Sequence, residues 1–151
     1  MKKAFTLIEL LIVIAIIAIL AGVVFVNLNN ARKRARDVEI KNNLSEFSKA
    51  LEVIKVDKEL TNVAWSNITN SGTGMNSITT WKDVDNTTLV AKLPSHPTSG
   101  QYYRIKVWTG SNYALLARLY STTNKYWCIR NGSAYEIGTS SLTTAQNDCD
   151  G

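Results

Sequence analysis

The chain has 151 residues, enough for one domain, and 45% of them are hydrophobic but only 19% are charged, below the roughly 25% of an average soluble domain. The net charge is +5, and two of the positive charges belong to Lys2 and Lys3 at the N-terminus. The excess of positive charge in the rest of the chain is ordinary and does not indicate nucleic-acid binding. The one histidine, His96, and two cysteines, Cys128 and Cys149, are too few for a zinc site, so we expect no enzyme and no resident cofactor.

The first predicted element is a helix from residue 5 to about residue 58. From Leu10 to Val26 no side chain is charged or strongly hydrogen-bonding, so this surface must contact lipid or other protein. Farther along, apolar residues recur at steps of four and three on one helical face: Ile40, Leu44, Phe47, Leu51 and Ile54. We expect this stripe to cover a sheet, while Asp37 pairs with Lys41 on the solvated face.

Four basic residues follow the apolar run: Arg32, Lys33, Arg34 and Arg36. We expect them to contact lipid headgroups, and a contact with DNA or another polyanion is the alternative. Because basic residues flank the run on both sides, charge does not decide the orientation of this segment in a membrane. A bond between Cys128 and Cys149 would place the C-terminal part in an oxidising compartment, outside the cytoplasm. Two unrelated thiols are the alternative.

Residues 61–100 are rich in Asn, Ser, Thr and Gly, and they predict an ordered loop region with short elements. Alternating patterns then predict three or four antiparallel strands, over Tyr102–Trp108, Tyr113–Tyr120, Tyr126–Arg130 and Ala134–Ile137. Asn131-Gly132 predicts a tight hairpin between the last two. The fold class is therefore α+β, a long N-terminal helix packed on a C-terminal antiparallel meander.

Two acidic features have competing interpretations. Glu9 lies in an apolar helix, where it either complements the helix dipole or pairs with a buried cation, such as a free Phe5 ammonium group created by a cut after Ala4. Near the C-terminus, Asn147, Asp148 and Asp150 offer oxygen ligands for calcium, but they also fit a solvated acidic tail.

The N-terminal run Met1–Leu11, MKKAFTLIELL, resembles the class III leader and mature N-terminus of type IV pilins and pseudopilins. The resemblance extends over the long helix and the meander with its C-terminal cysteine pair. It implies that a prepilin peptidase cuts between Ala4 and Phe5 and methylates the new Phe5 amine. It also implies a subunit held in the inner membrane with its head outside, which an inner-membrane assembly platform extracts into a homopolymer. Glu9 then neutralises the terminal amine of an adjoining subunit.

The resemblance divides the chain into a leader (1–4), a membrane and filament-core helix (5–27), the amphipathic half of that helix (28–58), an αβ-loop (59–101), and a sheet with a C-terminal disulfide loop (102–151). The family most often has Gly where this chain has Ala4, and many members have a helix-bending proline where it has Val26.

The sequence is compatible with several functions. The predicted disulfide-closed loop and the polar region before it favour a surface type IV pilus, which would serve adhesion, twitching motility or DNA uptake. Nucleic acid would be a partner only of a DNA-uptake pilus. A major pseudopilin of type II secretion, in a periplasmic pseudopilus that often binds calcium, is the first alternative. The others are a signal-anchored binding domain that does not polymerise, and a secretory signal cut near Ala21.

Overall fold

The computed structural model describes residues 6–69, 77, 81–82, 85–90, 96–108 and 110–151, with Val26 described in its backbone only. The chain begins with one helix, α1 (Leu7–Asp57), unbroken through Gly22 and Val26. At about 1.5 Å per residue its 51 residues span about 75 Å. The helix is continuous because this stretch contains no proline and only one glycine.

The strands form a five-stranded antiparallel sheet in chain order: β1 (Val63–Asn67), β2 (Arg104–Trp108), β3 (Asn112–Arg118), β4 (Lys125–Arg130) and β5 (Ser133–Gly138). The predicted α+β class is confirmed, but the number of strands is one above the predicted maximum of four. The extra strand is β1, in the region assigned to the αβ-loop. Its pairing with β2 shifts register between Val63 and Ser66. The sequence of β1, VAWSN, does not alternate between apolar and polar residues, so it gives little signal for a strand.

The β4–β5 hairpin forms as predicted at Asn131-Gly132. Both residues have positive φ, 47° and 81°, which is the backbone that a two-residue turn of this kind requires. Asn131 also stabilises the start of β3, because its Oδ1 accepts a hydrogen bond from the backbone N–H of Tyr113 at 2.9 Å.

The inner face of the sheet packs on the second half of α1. The five predicted stripe residues, Ile40 to Ile54, are all fully buried, which confirms the stripe. They share one core with inward-facing sheet residues such as Ile105, Leu115 and Ile129, which lie side by side on β2, β3 and β4. The amphipathic part of α1 therefore supplies one layer of the head, whereas the first part of α1 contributes nothing to it.

The outer face of the sheet is covered by a second helix, α2 (Leu142–Asp150), where the sequence predicted a disulfide loop. Ser141 caps this helix by accepting a hydrogen bond from the N–H of Thr144. Ala145 and Cys149 are buried against Leu116 and Cys128 in a second, smaller core. The nine residues of α2 have no strongly periodic apolar pattern, so the sequence gives little signal for a helix. Packing on the sheet and the disulfide stabilise this helix instead.

Cys128 and Cys149 form a disulfide that ties α2 to β4. Both residues are fully buried. The chain-entropy model gives such a bridge, with 21 residues of separation, about 3 kcal/mol.

We expect reduction of the full chain in detergent to lower its melting temperature, because the unfolded chain regains the freedom of the closed loop. The Cys128→Ser/Cys149→Ser double variant should melt at the reduced value with or without reductant. An unchanged melting temperature on reduction of the parent chain would contradict a stabilising bridge.

Candidate functional site

The N-terminus of α1 is closed by a reciprocal cap between Thr6 and Glu9. The Thr6 hydroxyl oxygen accepts a hydrogen bond from the N–H of Glu9 at 3.4 Å, and Glu9 Oε2 accepts from the Thr6 backbone N–H at 2.9 Å and from its hydroxyl at 2.7 Å. This is a capping box, whose signature, Thr or Ser followed three residues later by Glu, is present in the sequence. Thr6, the partner of Glu9 in this cap, is not among the predicted site residues, although the Thr6-x-x-Glu9 spacing signals it.

The carboxylate of Glu9 is exposed, and both of its hydrogen bonds go to Oε2. Within the described part of the chain, no donor is bonded to Oε1. The carboxylate therefore satisfies the helix end and still has an oxygen available for a second donor from outside the chain. The predicted cleavage and methylation positions, Ala4 and Phe5, lie outside the described residues.

The surface that follows Glu9 is apolar on every side, and no described residue of the head covers it. The described large apolar side chains from Leu7 to Leu28 are 40–83% exposed. This part of α1 is long and apolar enough to cross a membrane, and none of it is buried. Since water is an unfavourable environment for such a surface, its partners must be lipid tails or other apolar helices.

Asp37 fastens the helix to the head just after the apolar segment. Its side chain is only 5% exposed, and its two oxygens accept hydrogen bonds from the backbone N–H groups of Tyr120 and Ser121 at 2.6 and 2.8 Å. The predicted Asp37–Lys41 surface pair is therefore wrong. The spacing of the two residues on the helix suggested the ion pair. Asp37 instead binds two backbone N–H groups that follow β3, and these groups lie near it only because the head is folded.

Lys41 lies across the groove between α1 and the sheet. Its ammonium group is 4.2 Å from the ring centre of Trp127 and 3.5 Å from Glu136 Oε2. Glu136 also accepts a hydrogen bond from Lys125, and these two cations hold the pKa of the Glu136 carboxyl below its usual value. The edge strand β5 thus carries the charged side chain of Glu136, and a charge on an edge strand discourages pairing with another strand.

The three calcium candidates lie on α2. Asn147 and Asp148 are exposed, whereas Asp150 is engaged: Oδ1 accepts from Trp65 Nε1 at 3.1 Å, and Oδ2 is bonded to the ammonium group of Lys106. These contacts fix the end of α2 to β1 and β2. Among the described residues, no group of three or more His, Cys, Asp and Glu side chains is placed to hold a metal ion.

His96 packs in the head as a half-buried side chain. Its ring lies 5.1 Å from that of Tyr103 and 5.8 Å from that of Tyr120, and its Nδ1 accepts a hydrogen bond from the N–H of Thr98 at 3.2 Å. Burial lowers the pKa of the imidazole, because a charged ring would lose its hydration. The surroundings of this ring are aromatic side chains rather than a nucleophile or a metal-binding set.

Comparison with known proteins gives two findings about the chain. A family model described as the prokaryotic N-terminal methylation motif matches residues 1–25. The type IV wide pilus major component PilA4 of Thermus thermophilus is 56% identical over 55 residues, which are 36% of this chain and 42% of that protein. The chain thus spans less than half the length of this curated relative. No solved structure matches the chain.

Proposed function

We propose that this chain is a type IV pilin, a structural subunit of an extracellular type IV pilus. Its methylation motif and its local similarity to PilA4 support the proposal. One observation carries the proposal: a single helix joins an exposed apolar half to a half that is packed into a folded head. Such a chain needs its apolar half covered, first by lipid and then by the same segments of other copies.

The proposed route begins with a cut between Ala4 and Phe5 by a prepilin peptidase, which also methylates the new amine. The subunit then stays in the inner membrane through its apolar helix, with the disulfide-closed head outside the cytoplasm. An assembly platform transfers it into the filament, where apolar helices of neighbouring subunits replace lipid. The role of the chain is structural, with no substrate to convert.

Similarity to a pilus component favours a surface pilus over the pseudopilus of a secretion system. The two filaments differ in where they end, since a pilus extends from the cell and a pseudopilus stays in the periplasm. Mechanical shearing of intact cells should therefore release the subunit as polymer. Recovery of the polymer only after lysis would favour the pseudopilin alternative.

The intact mass of the protein from the native cell envelope tests the processing steps. We expect a chain that begins at Phe5, one methyl group heavier and two hydrogen atoms lighter than the sequence of that fragment, because methylation and the disulfide both leave a mass signature. Fragmentation of the N-terminus places the methyl group. A chain that begins at Met1 would indicate an anchored monomer, and one that begins at Gly22 a secreted protein; either would overturn the proposal.

A further inference from the structure

The outer face of the sheet has a cavity of about 350 Å³ at the end where β2 begins and β3 ends. Its walls come from four strands and from the first residue of α2, Leu142, so it is part of the folded head rather than of one loop. The volume lies near the lower end of the roughly 300–1,000 Å³ typical of small-molecule sites. The disulfide and the second core hold the surrounding elements in place.

Two arginine residues, Arg104 and Arg118, line this cavity. In the described part of the chain neither guanidinium group has a carboxylate within ion-pair distance, and the carboxylate of Asp150, on the same side of the sheet, is paired with Lys106. Arginine presents a planar set of donors that matches a carboxylate with two parallel hydrogen bonds. The cavity therefore favours an anionic group.

Two further residues indicate that the anion also carries hydroxyl groups. Asn67 lines the cavity, and its Oδ1 is buried and accepts no hydrogen bond from any described residue, so it needs a donor. A carboxylate or a fully ionised phosphate has no proton to donate, whereas a sugar hydroxyl has one. Tyr102, which is 56% exposed, offers a flat apolar ring at the rim for the face of a pyranose.

We propose that this cavity binds an acidic sugar, a hexuronic acid unit of a polysaccharide. Arg104 and Arg118 bind the carboxylate, Asn67 accepts a hydrogen bond from a ring hydroxyl, and Tyr102 packs on the sugar ring. This inference goes beyond the filament role and does not depend on it, because the four residues that would bind the sugar belong to one subunit.

The test is a titration of the monomeric full chain in detergent with galacturonic acid, followed by NMR. We expect saturable shifts of the signals of the cavity residues, and binding at least about tenfold weaker for galactose, which lacks the carboxylate. Acetate, which lacks the ring and hydroxyl groups, should also bind at least about tenfold more weakly. Equal binding of acetate would reduce the cavity to a plain carboxylate site and overturn the proposal, as would equal binding of galactose or no saturable binding.

Substitutions separate this site from general positive charge. Arg104→Gln and Arg118→Gln should each weaken galacturonic acid binding by about tenfold, since each removes charged donors while keeping most of the side chain. Arg34→Gln, which removes the same charge from an exposed position on α1, should leave binding unchanged. Unchanged melting temperatures establish that the variants fold, and equal losses in all three would overturn the assignment of the cavity.

Discussion

Cells that carry Glu9→Ala as their only copy of this chain should make no surface filaments, although the subunit is still processed and held in the membrane. Glu9 lies at the start of a surface that is apolar on every side. A carboxylate enclosed there without a cation costs up to about 3 kcal/mol, so it must be paired once other subunits exclude water. The proposed partner is the Phe5 amine of a neighbouring subunit, and the Oε1 atom of Glu9 is available for it.

Glu9→Gln separates this charge from the helix cap. Glutamine at this position keeps the capping box with Thr6, since its side-chain oxygen accepts the same N–H, but it carries no negative charge. We therefore expect Glu9→Gln to lose filaments as Glu9→Ala does, while Thr6→Ala, which breaks the cap and keeps the charge, retains most of them. Sheared polymer measured against the membrane-bound pool gives the yield. Normal filaments from Glu9→Gln would assign Glu9 to the cap alone.

Phe47→Ala should lower the stability of the head by about 3–5 kcal/mol. The ring is fully buried between α1 and the sheet, and its centre lies 5.5 Å from that of Trp81 and 5.3 Å from that of Tyr103, both edge-on. Removing it leaves a cavity and ends both aromatic contacts, each worth about 0.5–1.5 kcal/mol beyond burial.

The measurement for Phe47→Ala is thermal unfolding of the full chain in detergent, followed by near-ultraviolet circular dichroism. Val56→Ala is the matched control, because Val56 lies on the same helix but is 84% exposed. The control should stay within about 0.5 kcal/mol of the parent chain. A loss below about 1 kcal/mol for Phe47→Ala would mean that this part of the core is loosely packed.

The α1 helix and its division into two halves are readable from the sequence, because both depend on local patterns. The uninterrupted apolar run and the absence of proline predict the helix, and the spacing from Ile40 to Ile54 predicts the face that is buried. The Asn131-Gly132 turn is predictable for the same reason, since positive φ at both positions is a property of two residues. The similarity of the N-terminus to prepilins likewise resides in a contiguous stretch.

The features that can be read from the sequence are therefore local: the α1 helix, its buried stripe, the β4–β5 hairpin and the N-terminal motif. Four other features form only through tertiary contacts: β1, α2, the buried position of Asp37, and the cavity lined by Arg104 and Arg118. Each of these depends on groups far apart in the chain, such as Asp37 and the N–H groups of Tyr120 and Ser121. A local pattern carries no signal for such contacts, because the donors and walls exist only when the sheet has formed on the helix.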